Sequence, residues 1–106
     1  MSDSLDRLFA TIAARKGADP ASSYTAKLLA EGVEKCAKKF GEEATEAVIA
    51  AISRDRTELA KESADVLYHL LVLWAASGVT PEEVYAVLRA RESQSGLAEK
   101  AARPKA

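Results

Sequence analysis

Between positions 66 and 76 the chain reads Val-Leu-Tyr-His-Leu-Leu-Val-Leu-Trp-Ala-Ala. Wound into a helix, this run is apolar almost all round, and a helix without a polar face must be buried on every side. A chain of 106 residues suffices for one ordinary domain and buries only about two-thirds of its unfolded surface. The run therefore implies a helix sandwiched between the rest of its own chain and a second copy. Its longest uninterrupted apolar stretch, residues 70–76, is far below the roughly 20 residues needed to cross a bilayer.

The rest of the chain favours helix as well. Glycine (5) and proline (3) are few, aromatics are 6%, and Ala, Leu, Glu, Lys and Arg dominate, a composition with high helix propensity. No segment alternates like a strand. A first helix is expected over about residues 5–16, with Leu5, Leu8, Phe9 and Ile12 on one face and Gly17-Ala18-Asp19-Pro20 stopping it. Ser22 or Ser23 caps a short helix carrying Tyr24, Leu28 and Leu29, which ends near Gly32 or continues through it.

A longer helix follows, because Val33, Ala37, Phe40, Ala44, Val48 and Ala51 form one apolar stripe. Gly41 interrupts it at a cost of about 1 kcal/mol relative to alanine, so either the helix bends there or something approaches the backbone closely. Residues 53–57 break the chain, a helix over about 58–77 ends at Gly78, and Thr80-Pro81-Glu82-Glu83 caps a last helix reaching about residue 92. The expected fold is all-α, about five helices in an antiparallel bundle completed by homodimerisation. Residues 1–92 form a single domain and residues 93–106 a C-terminal tail with little to bury.

A formal charge of −1 and a pI near 5.9 remove the electrostatic basis for broad nucleic-acid binding. A lone cysteine, Cys36, excludes an intramolecular disulfide framework and a thiolate zinc cluster and fits a reducing compartment; it is most simply a small core residue. Met1-Ser2-Asp3-Ser4 lacks the basic flank and apolar run of a signal peptide. Together these features describe a soluble cytoplasmic protein, with neither membrane nor nucleic acid as partner.

The chemistry lies in the acids. Glu43-Ala44-Thr45-Glu46 and Glu62-Ser63-Ala64-Asp65 are i, i+3 pairs on the two central helices. That spacing separates two side chains by about 60° in azimuth and one turn in height, so each pair converges on one point. If the helices pack antiparallel, as their short connection suggests, four carboxylates face each other. Such charges cannot share a partly buried site unpaired, and a hard divalent cation, Mg²⁺ or Mn²⁺, resolves the conflict. Ferritin-like di-iron bundles also use facing carboxylates but need Glu-x-x-His pairs, and this chain has one histidine. That residue, His69, shares a stripe with Glu58, Glu62 and Asp65; it orients a ligand carboxylate, touches substrate, or is a neutral histidine within a helical interface. Trp74, Tyr68 and Phe40 are read as core or subunit interface.

Three runs carry a resemblance: Ser23-Tyr24-Thr25-Ala26-Lys27-Leu28-Leu29, Lys39-Phe40-Gly41-Glu42-Glu43-Ala44-Thr45-Glu46, and Glu62-Ser63-Ala64-Asp65-Val66-Leu67-Tyr68-His69-Leu70-Leu71. With the tail Ser93-Gln94-Ser95-Gly96-Leu97-Ala98-Glu99-Lys100, they make the chain similar to the phosphoribosyl-ATP pyrophosphatase family of histidine biosynthesis over nearly its whole length. The wider all-α superfamily of MazG-like nucleoside triphosphate pyrophosphohydrolases shares only the two acidic pairs, and a housekeeping enzyme of that type is the alternative. The resemblance implies Mg²⁺-dependent hydrolysis of phosphoribosyl-ATP to phosphoribosyl-AMP and pyrophosphate, with Glu43, Glu46, Glu62 and Asp65 as metal ligands. Glu42 then supports the cluster from behind or positions water. Counter-charge for the phosphates would come from Lys39, on the same face as Glu43, or from Lys27, Lys35, Arg89, Arg91, Lys100 or Arg103.

Overall fold

The computed structural model describes residues 3–92. They form α1 (Asp3–Ala14), α2 (Tyr24–Glu31), α3 (Val33–Ile52), α4 (Arg56–Ser77) and α5 (Pro81–Arg91). No strand occurs among the described residues, and the all-α expectation holds. Among them no single helix is long and apolar enough to cross a membrane. The tail over residues 93–106, with Lys100 and Arg103, lies outside the described residues.

Local chemistry sets the helix boundaries. Ser23, in extended backbone, accepts from the Ala26 N–H at 3.1 Å and so begins α2. Gly32, at φ 96°, separates α2 from α3. Thr80 and Glu83 form a reciprocal capping box with Pro81 in the first turn of α5. Helix α1 starts two residues earlier than expected and gives way to a turn after Ala14. Helix α4 likewise starts earlier, at Arg56, because the Asp55 carboxylate accepts from the Glu58 N–H at 3.0 Å.

Only residues 53–55 separate α3 from α4, so the two fold back as an antiparallel hairpin, the most extensive helix pair in the molecule. The turn closes by a double hydrogen bond: Arg54 N–H donates to Ala51 O at 3.1 Å and Asp55 N–H to Ala50 O at 3.2 Å. This is the Schellman arrangement, whose left-handed residue is usually glycine. Here Arg54 occupies it at φ 59°. Arg54→Gly is therefore expected to stabilise the fold by about 1 kcal/mol, raising Tm by a few degrees in a thermal melt.

Helix α4 is the centre of the fold, touching α1, α2 and α3. Its Leu71 and Val72 join Ile12 of α1, Leu28 of α2 and Cys36 of α3 in the fully buried core, with Tyr68, Leu73 and Trp74 packed against it. Cys36 is the core residue its position suggested; its thiol donates to Leu28 O at 3.3 Å. Helix α5 is linked to α1 by the Tyr85 hydroxyl, which donates to Asp6 Oδ1 at 2.9 Å.

Two expectations about α3 need correction. A Cβ at Gly41 would meet nothing within 4 Å, and the helix runs on unbroken, so the protomer makes no close approach there. The buried and half-buried positions of α3 past its first turn are Cys36, Lys39, Phe40, Glu43, Ala44, Ala47 and Ala50, while Val33, Ala37, Val48 and Ala51 of the apolar stripe are exposed. The stripe is thus split, with Phe40 and Ala44 half-buried and its two ends open to solvent. Large exposed apolar side chains are consequently concentrated on α3 (Val33, Val48, Ile49, Ile52) rather than on α4, which offers only Leu67.

Candidate metal centre

The hairpin brings one carboxylate of α3 against two of α4. Glu43, Glu62 and Asp65 are all partly buried, and each offers an oxygen such that the three lie within 4.8 Å of one another. Glu62 Oε2 is buried without a hydrogen-bond partner among the described residues. Burial raises the Glu62 carboxyl above the usual carboxylate range, with the Asp65, Glu43 and Glu58 charges adding to it. An all-oxygen donor set with an orphaned acceptor and crowded negative charge fits a hard divalent cation.

The other predicted residues are distributed unevenly around this group. Glu46, one turn beyond Glu43, is exposed and outside the grouping. Lys39 stands one turn before Glu43 and pairs with Glu42 at 3.2 Å. This hydrogen bond holds the Glu42 carboxyl below its ordinary range and pushes the Lys39 ammonium up. Lys27 is exposed on α2, and no bond joins it to the acids. Arg89 is bound to Glu82 of its own helix at 2.6 Å. Arg91 lines a hollow on α5 with Val79, Glu83, Val84, Val87 and Leu88. A second hollow, at the α3–α4 turn, is lined by Ala50, Ala51, Arg54, Asp55, Arg56 and Leu59. Neither hollow includes an acid of the group.

His69, one turn after Asp65, is 6% exposed, and its Nδ1 has no hydrogen-bond partner among the described residues. Its ring meets those of Tyr68 and Tyr24 edge to face, at 5.0 and 6.2 Å between centroids. Burial lowers the imidazole pKa and Lys39 assists, while Glu43, Asp65 and Glu42 oppose. The folded state therefore favours neutral His69, and its contribution to stability, intact above the unfolded value near 6.5, is lost as pH falls below it. Between pH 7.5 and 5.5 the parent should lose more Tm than His69→Gln, which leaves the carboxylates in place.

One feature lacked a separate signal in the sequence. The Thr25 and Tyr68 hydroxyls share a hydrogen bond that ties α2 to α4. Both residues lie in the quoted motifs, but helical periodicity does not pair hydroxyls 43 positions apart.

Fold and acids together define an all-α protein with a cluster able to hold a metal ion. The family model for phosphoribosyl-ATP pyrophosphohydrolase matches residues 5–92. A phosphoribosyl-ATP pyrophosphatase of Cereibacter sphaeroides (strain ATCC 17029 / ATH 2.4.9) is 69% identical over 99 residues, covering 93% of this chain and 96% of the relative. One from Parvibaculum lavamentivorans is 67% identical, covering 93% of this chain and 91% of the relative. One from Ruegeria pomeroyi is 64% identical over 101 residues, 95% and 96% of the two chains. The chain belongs to the phosphoribosyl-ATP pyrophosphohydrolase family.

Proposed function

We propose that this chain hydrolyses phosphoribosyl-ATP between its α and β phosphates, releasing phosphoribosyl-AMP and pyrophosphate, as the second step of histidine biosynthesis. The observation that carries the reading is the convergence of Glu43, Glu62 and Asp65 from two helices, in a chain whose relatives bear that enzyme's name. These three residues, with Glu46 as the fourth carboxylate, would hold Mg²⁺, for which Mn²⁺ could substitute. Four carboxylates alone would repel the substrate; the ion, when bound, neutralises phosphate charge and acidifies water.

The chain's own groups supply the rest. Glu46, exposed one turn beyond Glu43 and with no bond to another described residue, is free to turn toward the ion as its fourth carboxylate, while Glu42 supports the cluster or positions the attacking water. Glu42 fixes Lys39 through their ion pair, keeping an ammonium beside the acids for the outer phosphates. His69, kept neutral by burial, donates or accepts at the phosphates without adding charge. Arg89, engaged by Glu82, together with Lys27 and Arg91, is a weaker candidate for phosphate contact than Lys39.

The acids lie outside both of these hollows. A homodimer covering the exposed apolar face of α3 would bury Val48 and Ile52. Cytoplasmic location accords with a small-molecule substrate of central metabolism. The deciding experiment compares turnover of phosphoribosyl-ATP with that of dCTP and dUTP. Strong preference for the first, with phosphoribosyl-AMP and pyrophosphate but no orthophosphate as products, is expected; preference for the deoxynucleotides would make it a housekeeping pyrophosphatase.

A further inference from the structure

Tyr24 is the one aromatic ring among the large exposed apolar side chains of the described residues, at 53% exposure. It opens α2 directly after the Ser23 cap, and the next residue, Thr25, is bonded to Tyr68 of α4. The backbone beneath the ring is therefore anchored on both sides. Its one ring contact among the described residues is with His69, edge to face, with an interplanar angle of 87°, which leaves ring surface open to solvent.

The ring also borders the acid cluster. His69 lies one α4 turn, about 6 Å of rise, beyond Asp65. On α3, Lys39 pairs with Glu42, the residue before Glu43 of the acid group. Through its contact with His69, Tyr24 stands one turn of α4 from Asp65 of that group. An ion held at the acids would engage the phosphates and leave the nucleoside within reach of this ring. A rigid, exposed aromatic face binds a nucleobase at little conformational cost.

We propose that Tyr24 is the platform on which the purine ring of the nucleotide substrate stacks. This rests on the reading of Glu43, Glu62 and Asp65 as the phosphate-side metal centre. The hydroxyl is secondary; the π face does the binding, and specificity for a base over bare polyphosphate originates here.

Tyr24→Ala, Tyr24→Phe and Tyr24→Trp, assayed with phosphoribosyl-ATP and Mg²⁺, test it, with tripolyphosphate as a competitive inhibitor that has no base. Tyr24→Ala should raise KM about tenfold or more with kcat largely kept, Phe and Trp should keep the parental KM, and the inhibition constant for tripolyphosphate should not move. A parental KM in Tyr24→Ala overturns the proposal, as does an equal loss for tripolyphosphate or a changed molar mass by light scattering. An Asp65→Asn variant assayed alongside separates the two readings: if it is inactive while Tyr24→Ala is parental, stacking alone fails.

Discussion

Asp65→Asn, Glu62→Gln and Glu43→Gln should each lower pyrophosphate release about 100-fold or more, while Tm in metal-free buffer stays constant or rises. The cation is asked for several kcal/mol of transition-state stabilisation, and each 1.36 kcal/mol is tenfold in rate. Without the ion the same carboxylates are a liability. Glu62 is disfavoured as an anion first by burial and then by Asp65 and Glu43, so deleting one charge relieves the folded state. Glu46→Gln should also lose activity but leave Tm unchanged, because Glu46 is exposed and outside the group. A structural salt-bridge network predicts the reverse coupling, in which neutralisation costs Tm and spares turnover. Near-parental turnover in all of these variants at saturating Mg²⁺ would remove the acids from the reaction.

The second large effect is on assembly. Val48 and Ile52, one turn apart on α3, are 56% and 76% exposed in the protomer, yet burial of such a side chain is worth about 1.5–3 kcal/mol. The double variant Val48→Asp/Ile52→Asp should halve the molar mass by light scattering, since a dimer would have to bury unpaired charges. Its circular dichroism should remain helical, because neither side chain belongs to the protomer's core. A monomeric parent, or a double variant that stays dimeric, would contradict the assignment of this face to a second copy.

Periodicity correctly located α3 and its apolar stripe, but a stripe does not say which neighbour covers it. Lys39 and Glu43 are half-buried while Val48 and Ala51 are exposed; a polar site inside a helical hairpin displaces apolar residues from that contact. The caps of α2 and α5 were equally legible, since Ser23 and Thr80 each bond the N–H three residues on; the Asp55 cap of α4 was hidden in what read only as a break. Nor was the Arg54 turn legible, because the left-handed position carries no glycine to announce it.

At the site, the i, i+3 spacing of Glu62 and Asp65 foretold their convergence, and Glu43 met them as expected. The same spacing did not bring Glu46 into the group. Two residues about 60° apart on one helix meet a partner together only when the helix faces it midway between them, and α3 turns the Glu43 side inward. Charge alone could not rank the cations: Arg89 is paired with Glu82 on α5, whereas Lys39 is paired with Glu42, the residue before Glu43 of the acid group. Tyr24 was visible as an apolar residue of the short helix and as part of a motif, but its exposure and its contact with His69 arise from the packing of α2 on α4.

The central claim, that Glu43, Glu62 and Asp65 form one divalent-cation site, is tested most directly by calorimetric titration of Mg²⁺, and of Mn²⁺, into the metal-free protein and its Asp65→Asn variant. A saturable site in the parent that is lost or strongly weakened in the variant is the predicted result. Heats that never saturate in the parent, or a variant that binds as the parent does, would contradict it.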